Sequence, residues 1–245
     1  MLASLAVKRI APLAVVLVLT GCSTVESKDI RTSGITANLV VTLPEATDAA
    51  DVSASLRVGT LTFVELGDGE EISASGGGKD VVLRHHRAAG VTSYSNLLDG
   101  VVAAGTEITF GLKRGGADDS APTSTVRLPE RVRLVAPAAG TSYSRRRDIA
   151  VRVESQPSQL PSVLTGAGEC VQEGSLQLEP GRTSATIARG SIKQVTTTPT
   201  PGKDVSRCQV RLTLTRRTEG KLDSAFKDGT VTAESQSSRE ISSVP

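Results

Sequence analysis

From Ile35 onward apolar residues return at every second position, and this period constrains the fold more than any other feature of the chain. Ile35, Ala37, Leu39, Val41 and Leu43 alternate with Thr36, Asn38, Val40 and Thr42. Val52, Ala54, Leu56 and Val58 alternate with Ser53, Ser55 and Arg57, and Ile108, Phe110 and Leu112 with Thr109, Gly111 and Lys113. A period of two places successive side chains on opposite faces, so each run reads as a strand with one face on a core and one in water. β-Branched Val, Ile and Thr dominate the runs, as strands prefer. Gly67-Asp68-Gly69, Gly76-Gly77-Gly78, Asp99-Gly100 and Gly115-Gly116 interrupt them at short intervals. No long window carries a helical stripe. The pattern predicts an all-β chain built as a sandwich or barrel of antiparallel strands.

The second half continues in the same style. Val132, Leu134 and Ala136 form one candidate strand, and Ile149, Val151 and Val153 another. Leu176 with Leu178, and Ala185 with Ile187, give two more. The clearest is Cys208, Val210, Leu212 and Leu214, opposed by Gln209, Arg211, Thr213 and Thr215. Thr230 to Ala233 and Arg239 to Val244 read as a closing C-terminal hairpin. Proline cannot donate to a strand ladder and sits at strand ends, so Pro129-Glu130 marks a boundary. Two tandem antiparallel β-sandwich domains are expected, over 34–129 and 130–245, joined by a short linker. One larger sandwich is the alternative. The run Thr196 to Gly202, with Pro199 and Pro201, reads as a long exposed loop.

Ahead of this body stand Lys8 and Arg9, then about ten mostly apolar residues from Ile10 to Leu19, then Leu19-Thr20-Gly21-Cys22. The apolar run is too short to span a bilayer and has the length of a signal-peptide core. The Leu-Thr-Gly-Cys ending resembles a bacterial lipobox. The resemblance implies cleavage after Gly21, removal of residues 1–21 as a signal peptide, and lipidation of Cys22. It also implies three acyl chains, a firm hold where a single chain is marginal. In a Gram-negative envelope Ser23 after the lipidated Cys implies sorting to the outer membrane, with the body at the periplasmic face or the cell surface; in a Gram-positive one the same anchor implies the outer leaflet of the plasma membrane. Residues 22–33 are polar and aperiodic and read as a lipidated tether. The alternative is an ordinary secretory signal with a chance Cys.

Charge narrows the partners. Without Lys8 and Arg9, the 26 remaining basic residues balance the 26 acidic ones. There is no cationic excess to neutralise nucleic-acid phosphates and no polybasic patch beside Cys22. The membrane contact is therefore expected through lipid alone. Cys170 and Cys208 remain after Cys22, and a pair of Cys in an exported chain reads as a disulfide. Cys208 lies on the inward face of its run, so the bridge is expected across the core. Two separate buried thiols are the alternative.

Ala136-Pro137-Ala138-Ala139-Gly140 leads to Tyr143-Ser144, then to the run Asp148 to Glu154 and the Cys pair. This half resembles bacterial immunoglobulin-like modules, without the core Trp of antibody-type domains. The resemblance implies the architecture and no specific activity.

Catalytic chemistry finds little support. The two His residues, His85 and His86, are neighbours that point to opposite faces of a strand. Leu83 to Arg87 reads as a charged strand end or hairpin tip. No Gly-x-Ser-x-Gly elbow, HExxH, CxxC or phosphate-binding glycine loop is present. The acidic turns Gly67 to Glu71 and Asp118-Asp119-Ser120 do not match the spacing of a dedicated calcium loop. No metal and no cofactor are implied. Five aromatics and no Trp leave little for a sugar-stacking platform. Arg145-Arg146-Arg147 is the sharpest charge cluster and the candidate contact for lipid headgroups, lipopolysaccharide phosphates or an acidic partner. The reading is a membrane-anchored envelope lipoprotein acting as a non-catalytic binding or structural module with a possible envelope protein partner. No small-molecule ligand is specified. An architectural spacer is the first alternative. An enzyme with an unrecognised site near His85, Asp118 or Arg145 is the second.

Overall fold

The computed structural model describes residues 23–115, 119–155, 158–195 and 207–245. Regular structure is almost entirely strand. The first half supplies β1 (Ser23–Glu26), β2 (Thr36–Pro44), β3 (Ala49–Val58), β4 (Thr62–Glu65), β5 (Glu71–Gly76), β6 (Lys79–Val82), β7 (Arg84–Ala88), β8 (Val91–Asp99), β9 (Glu107–Lys113) and β10 (Ala121–Arg127). The second supplies β11 (Val132–Ala136), β12 (Ser142–Ser144), β13 (Ile149–Ser155), β14 (Ser162–Gly168), β15 (Val171–Leu178), β16 (Ser184–Ile187), β17 (Cys208–Glu219) and β18 (Asp228–Val244).

The period-two reading translates directly into burial. Ala37, Leu39, Val41 and Leu43 on β2 are buried while their neighbours are half-exposed. Cys208, Val210, Leu212 and Leu214 on β17 behave likewise. Each fully buried Leu or Ile contributes about 1.5–3 kcal/mol, so aliphatic faces suffice to hold sandwiches that lack Trp.

Three sheets make two sandwiches. One sheet runs β1-β4-β3-β2-β18-β17-β14-β15 through the whole body, with β8 and β7 beyond β3 and β12 on β18. Its first half packs on the sheet β10-β9-β5-β6, and its second half on β11-β13-β16. Most pairings are antiparallel. β1–β4, β12–β18 and β18–β2 are parallel.

The chain leaves the first core at Leu128 and enters the second at Val132, on either side of Pro129-Glu130. It then returns. Phe226, Val231 and Ala233 belong to the first core, so residues 130–245 do not form the self-contained domain that the sequence suggests. The expected C-terminal hairpin over Thr230–Ala233 and Arg239–Val244 is also corrected: both runs lie on the single strand β18. Its N-terminal half pairs with β2 and its C-terminal end with β12, while Thr232 to Ser243 pair with β17 on the other side.

One face of β18 explains how a strand serves two cores. Val231 and Ala233 face the first, Ile241 the second, and Ser235, Ser237 and Arg239 fall between them. The two serines are buried and their hydroxyls accept the backbone N–H groups of Val132 and Leu134 at 3.0 and 2.7 Å. Arg239 donates to both carboxylate oxygens of Glu45, in the β2–β3 turn, at 2.7 and 2.8 Å. Arg133 adds a bond to Glu45 at 3.1 Å, and Arg131 reaches the Glu45 carbonyl at 3.1 Å. The joint between the sandwiches is therefore polar and extensively hydrogen-bonded, with the Arg131 Nε buried without a partner among the described residues.

The Arg239 hydrogen bonds hold the Glu45 carboxyl down to about 2, against an ordinary value of 4.5. A depressed carboxyl contributes stability above its unfolded value and loses it as pH falls through its folded value. The joint should thus hold fully above about pH 5 and weaken progressively towards pH 2. Glu45→Gln should lower stability at pH 7 by on the order of 2 kcal/mol and flatten this part of the acid profile, measured by urea unfolding at pH 7 and pH 3.

Candidate functional site

Three features stand out above the sandwich framework: a buried clamp at one end, a basic tip at the other, and a cavity beside that tip.

The clamp is built on Arg114, which follows β9 and is 8% exposed. Its Nε donates to Glu70 at 2.9 Å, from the acidic turn that precedes β5. Nη1 reaches the Ile30 carbonyl at 2.8 Å and Thr32 Oγ1 at 3.1 Å, and Nη2 the Ser27 carbonyl at 2.6 Å. Ser27 Oγ donates to the other Glu70 oxygen, which also accepts the Gly67 N–H at 3.0 Å. Burial pushes the Glu70 carboxyl up, but the bonds from Ser27, Gly67 and Arg114 and the charge of Arg114 outweigh it, so it lies below the usual carboxylate range. The segment over residues 23–33, expected as part of a short aperiodic tether, has regular structure instead. It forms β1 against β4, two short 3-10 turns, and buries Ser27 and Thr32. Cys22 itself lies outside the described residues.

The basic tip lies at the opposite end. Ser23 pairs with Thr62, Thr62 with Val58, Arg57 with Thr36, and Thr36 with Asp228, the start of β18. Ser144 pairs with Val244, the end of β18. A strand of 17 residues rising about 3.3 Å per residue separates these levels by roughly 55 Å. Arg145, Arg146 and Arg147 fill the turn between β12 and β13 at this far end. The Arg145 N–H donates to the Val244 carbonyl at 2.8 Å and its guanidinium reaches Ser243 at 3.4 Å. Arg146 and Arg147 are exposed.

The fold adds a residue that sequence reasoning missed. Ile149 pairs with Ile187, so the chain beyond β16 runs beside the arginine turn. Gly190 N–H donates to the Arg145 carbonyl at 2.8 Å, and Arg189 N–H to Asp148 Oδ1 at 2.8 Å. Arg189 is thereby set beside a cluster that lies some forty residues earlier in sequence. No local signal marks it, because the register of β13 on β16 makes the neighbourhood.

Cys170 and Cys208 are bonded, with Cα atoms 5.9 Å apart. The bridge does not cross the core as expected. Cys170 sits in the turn between β14 and β15, and Cys208 starts β17, so the bond ties neighbouring strands of one sheet at the same distal end. Beside it lies a cavity of about 230 Å³ between β14, β15 and β17 on one side and β16 with the following turn on the other. Leu164, Leu176, Ile187, Ile192, Val210 and Leu212 supply its apolar walls.

The remaining candidates do not converge. His85 and His86 are exposed on β7 in the first sandwich; His85 Nε2 is 3.8 Å from Glu65 and its ring 5.6 Å from that of Tyr94. Arg145 is at the tip of the second sandwich, and Asp118 lies outside the described residues. Thr196 to Gly202 lies outside them as well. Among the described residues no three His, Cys, Asp or Glu side chains gather as a metal site.

No family model and no curated protein matches the chain. Solved structures with some likeness include the crystal structure of Dpr11 IG1 bound to DIP-gamma IG+IG2, 8% identical with a TM-score of 0.23, covering 84% of this chain and 95% of that one. The fibronectin(III)-like modules of Clostridium thermocellum CbhA are 9% identical with a TM-score of 0.24, covering 86% and 93%. A two fibronectin type-III domain segment of chicken tenascin is 12% identical with a TM-score of 0.22, covering 80% and 96%. Superposition at this level carries no functional argument, and the sandwich assignment rests on the sheets themselves.

The clamp generates a direct expectation. Arg114→Met leaves the buried Glu70 carboxylate without its cation, which should cost about 3–5 kcal/mol in urea unfolding. Hydrogen exchange should accelerate over 23–34 first. Arg114→Met with Glu70→Leu removes both charges and should recover much of the loss.

Proposed function

We propose that the chain is a lipid-anchored envelope protein whose two-sandwich body is a non-catalytic binding module, with the basic tip as its contact surface. The observation that carries this reading is the continuity of β17 and β18 through both sandwiches, which sets residue 23 and Arg145–Arg147 at opposite ends of one sheet. The lipobox resemblance at Leu19 to Cys22 supplies the anchor, and Ser23 supports delivery to the outer membrane.

The clamp changes how such an anchor works. Pairing begins at Ser23, where the N–H donates to the Leu61 carbonyl at 3.3 Å. Acyl chains on Cys22 therefore emerge beside the β3–β4 turn with no slack between lipid and body. Leu61 is 55% exposed at this point, an apolar side chain suited to the bilayer interface. The arginine turn then projects away from the anchoring membrane. Headgroups of that membrane are out of its reach, and an acidic partner held at a distance is the fitting contact. Long-range attraction between such charges is screened within about 8–10 Å at physiological salt, so the tip recognises what comes close rather than what is remote.

Fractionation and depth measurement test this. Cys22→Ala should move the protein from membrane to soluble fractions, and retention in the membrane would remove the anchor. In vesicles carrying the lipidated protein, a fluorophore on Leu61→Cys should be quenched by headgroup-labelled lipid, and one on Arg146→Cys should not. Equal quenching at both positions would overturn the upright arrangement while leaving the anchor standing.

A further inference from the structure

We propose that the cavity of the second sandwich is a binding site for a single-chain anionic amphiphile, a fatty-acid-like carboxylate whose tail lies between β14, β15 and β16 and whose head meets Arg189 and Lys193. The proposal rests on the second sandwich alone and stands whether or not Cys22 is acylated.

The cavity has a specific cause. Gly166 on β14 pairs with Gly174 on β15 and, on its other side, with Leu212 on β17. Two glycines directly opposite each other remove two adjacent side chains from the inner face of the sheet. A Cβ at Gly174 meets nothing within 4 Å, and one at Gly166 meets only Leu212 and Val210. Neither glycine has a left-handed backbone, so conformation does not demand them. Glycine in a strand interior weakens the strand and marks close approach of something else. The resulting apolar cavity of about 230 Å³ opens to solvent beside Gln172, Gly174 and Ser191, which are exposed.

The mouth has the opposite chemistry. Ala188, Ser191 and Ile192 line the cavity, and the exposed Arg189 and Lys193 follow Ala188 and Ile192 directly in sequence, while the exposed Glu173 lies between the lining residues Gln172 and Gly174. The Lys193 carbonyl accepts the N–H of Gln172, another lining residue, at 2.8 Å, which fixes this segment against β15. Gly190 ties it to Arg145. Arg189 and Lys193 against the single carboxylate of Glu173 leave the segments around the mouth net positive, and with apolar walls this complements one ligand class: an aliphatic tail with an anionic head. A neutral apolar molecule leaves the rim unused, and a small anion leaves the walls unused.

The test uses the chain from residue 22 carrying Cys22→Ala, so that no detergent competes, with octanoate, decanoate and 1-decanol as probes. Decanoate should shift the amide resonances of Gly166 and Gly174. Each added methylene should tighten binding by about fourfold. Arg189→Ala with Lys193→Ala should weaken decanoate roughly tenfold and leave 1-decanol unchanged. Gly174→Val, whose side chain enters open space on an edge strand, should preserve or raise the melting temperature and abolish binding of both probes. Ile192→Trp fills the void from the opposite wall and should act likewise. Binding that survives either filling variant, or shifts that miss Gly166 and Gly174, would overturn the site. Equal loss of decanoate and 1-decanol on removing the two cations would overturn the anionic head.

Discussion

Twelve consecutive register pairs join β17 to β18, from Cys208–Ser243 to Glu219–Thr232, and both sandwiches are built on this ladder. A linker between two separate modules concentrates motion at one or two residues. A continuous antiparallel pair spreads any bend over many hydrogen bonds and over two packed cores. The connection from β17 to β18 reinforces this, because Asp223 accepts the Thr123 N–H at 2.8 Å and Phe226 enters the first core. Bending the body would strain the Glu45–Arg239 pair and pull the backbone of β11 off Ser235 and Ser237. The orientation of one sandwich on the other is thus a property of the sheet and not of the crossover at Pro129.

Much of this was legible in the sequence, and what was not has a common cause. Strand runs such as Ala37–Leu43 and Cys208–Leu214 declare themselves through local period, because each needs only its own alternation. β18 did not. Glu234 to Ser238 breaks the apolar period with polar residues, so the reading split one strand into a hairpin. The polar stretch is where the strand crosses the joint, and its serines accept N–H groups from a segment about a hundred residues away in sequence. The N-terminal segment failed in the same way. Ser27 and Thr32 look like tether residues until Arg114, more than eighty residues on, fixes them. Polar residues buried by distant partners carry no local signature, since the same side chains are equally at home in water.

The candidate site was legible in halves. Arg145–Arg147 stood out as a charge run, but Arg189 joins it only through the register of β13 on β16. The sequence marks no strand run over Ser162–Gly168 and only Leu176 and Leu178 in the next, so Gly166 and Gly174 carry no signal of their own. Their meaning depends on the pairing that sets them opposite each other. Glycine in strand interiors flags close approach, and only the register converts it into a volume.

The two ends of the molecule also differ in how they treat local rules. At the clamp and the joint, buried charge is matched: Arg114 with Glu70 and backbone carbonyls, Arg239 with Glu45. The distal end departs from these local rules. Three successive arginines fill one turn with Arg189 on the segment beside it, and facing glycines leave open space that Val or Ile would fill. Sequences that specify one structure agree across levels, and the sites where they disagree are those under another demand. A chain that pairs the charges of its joint in this way is able to pack a sheet, so the hollow near Arg189 is an exception within a well-specified framework. The disulfide beside it, joining the β14–β15 turn to β17, holds two of the cavity's walls in register while the void between them stays open. Rigidity at that end therefore serves the open space rather than the packing, as a preformed site requires.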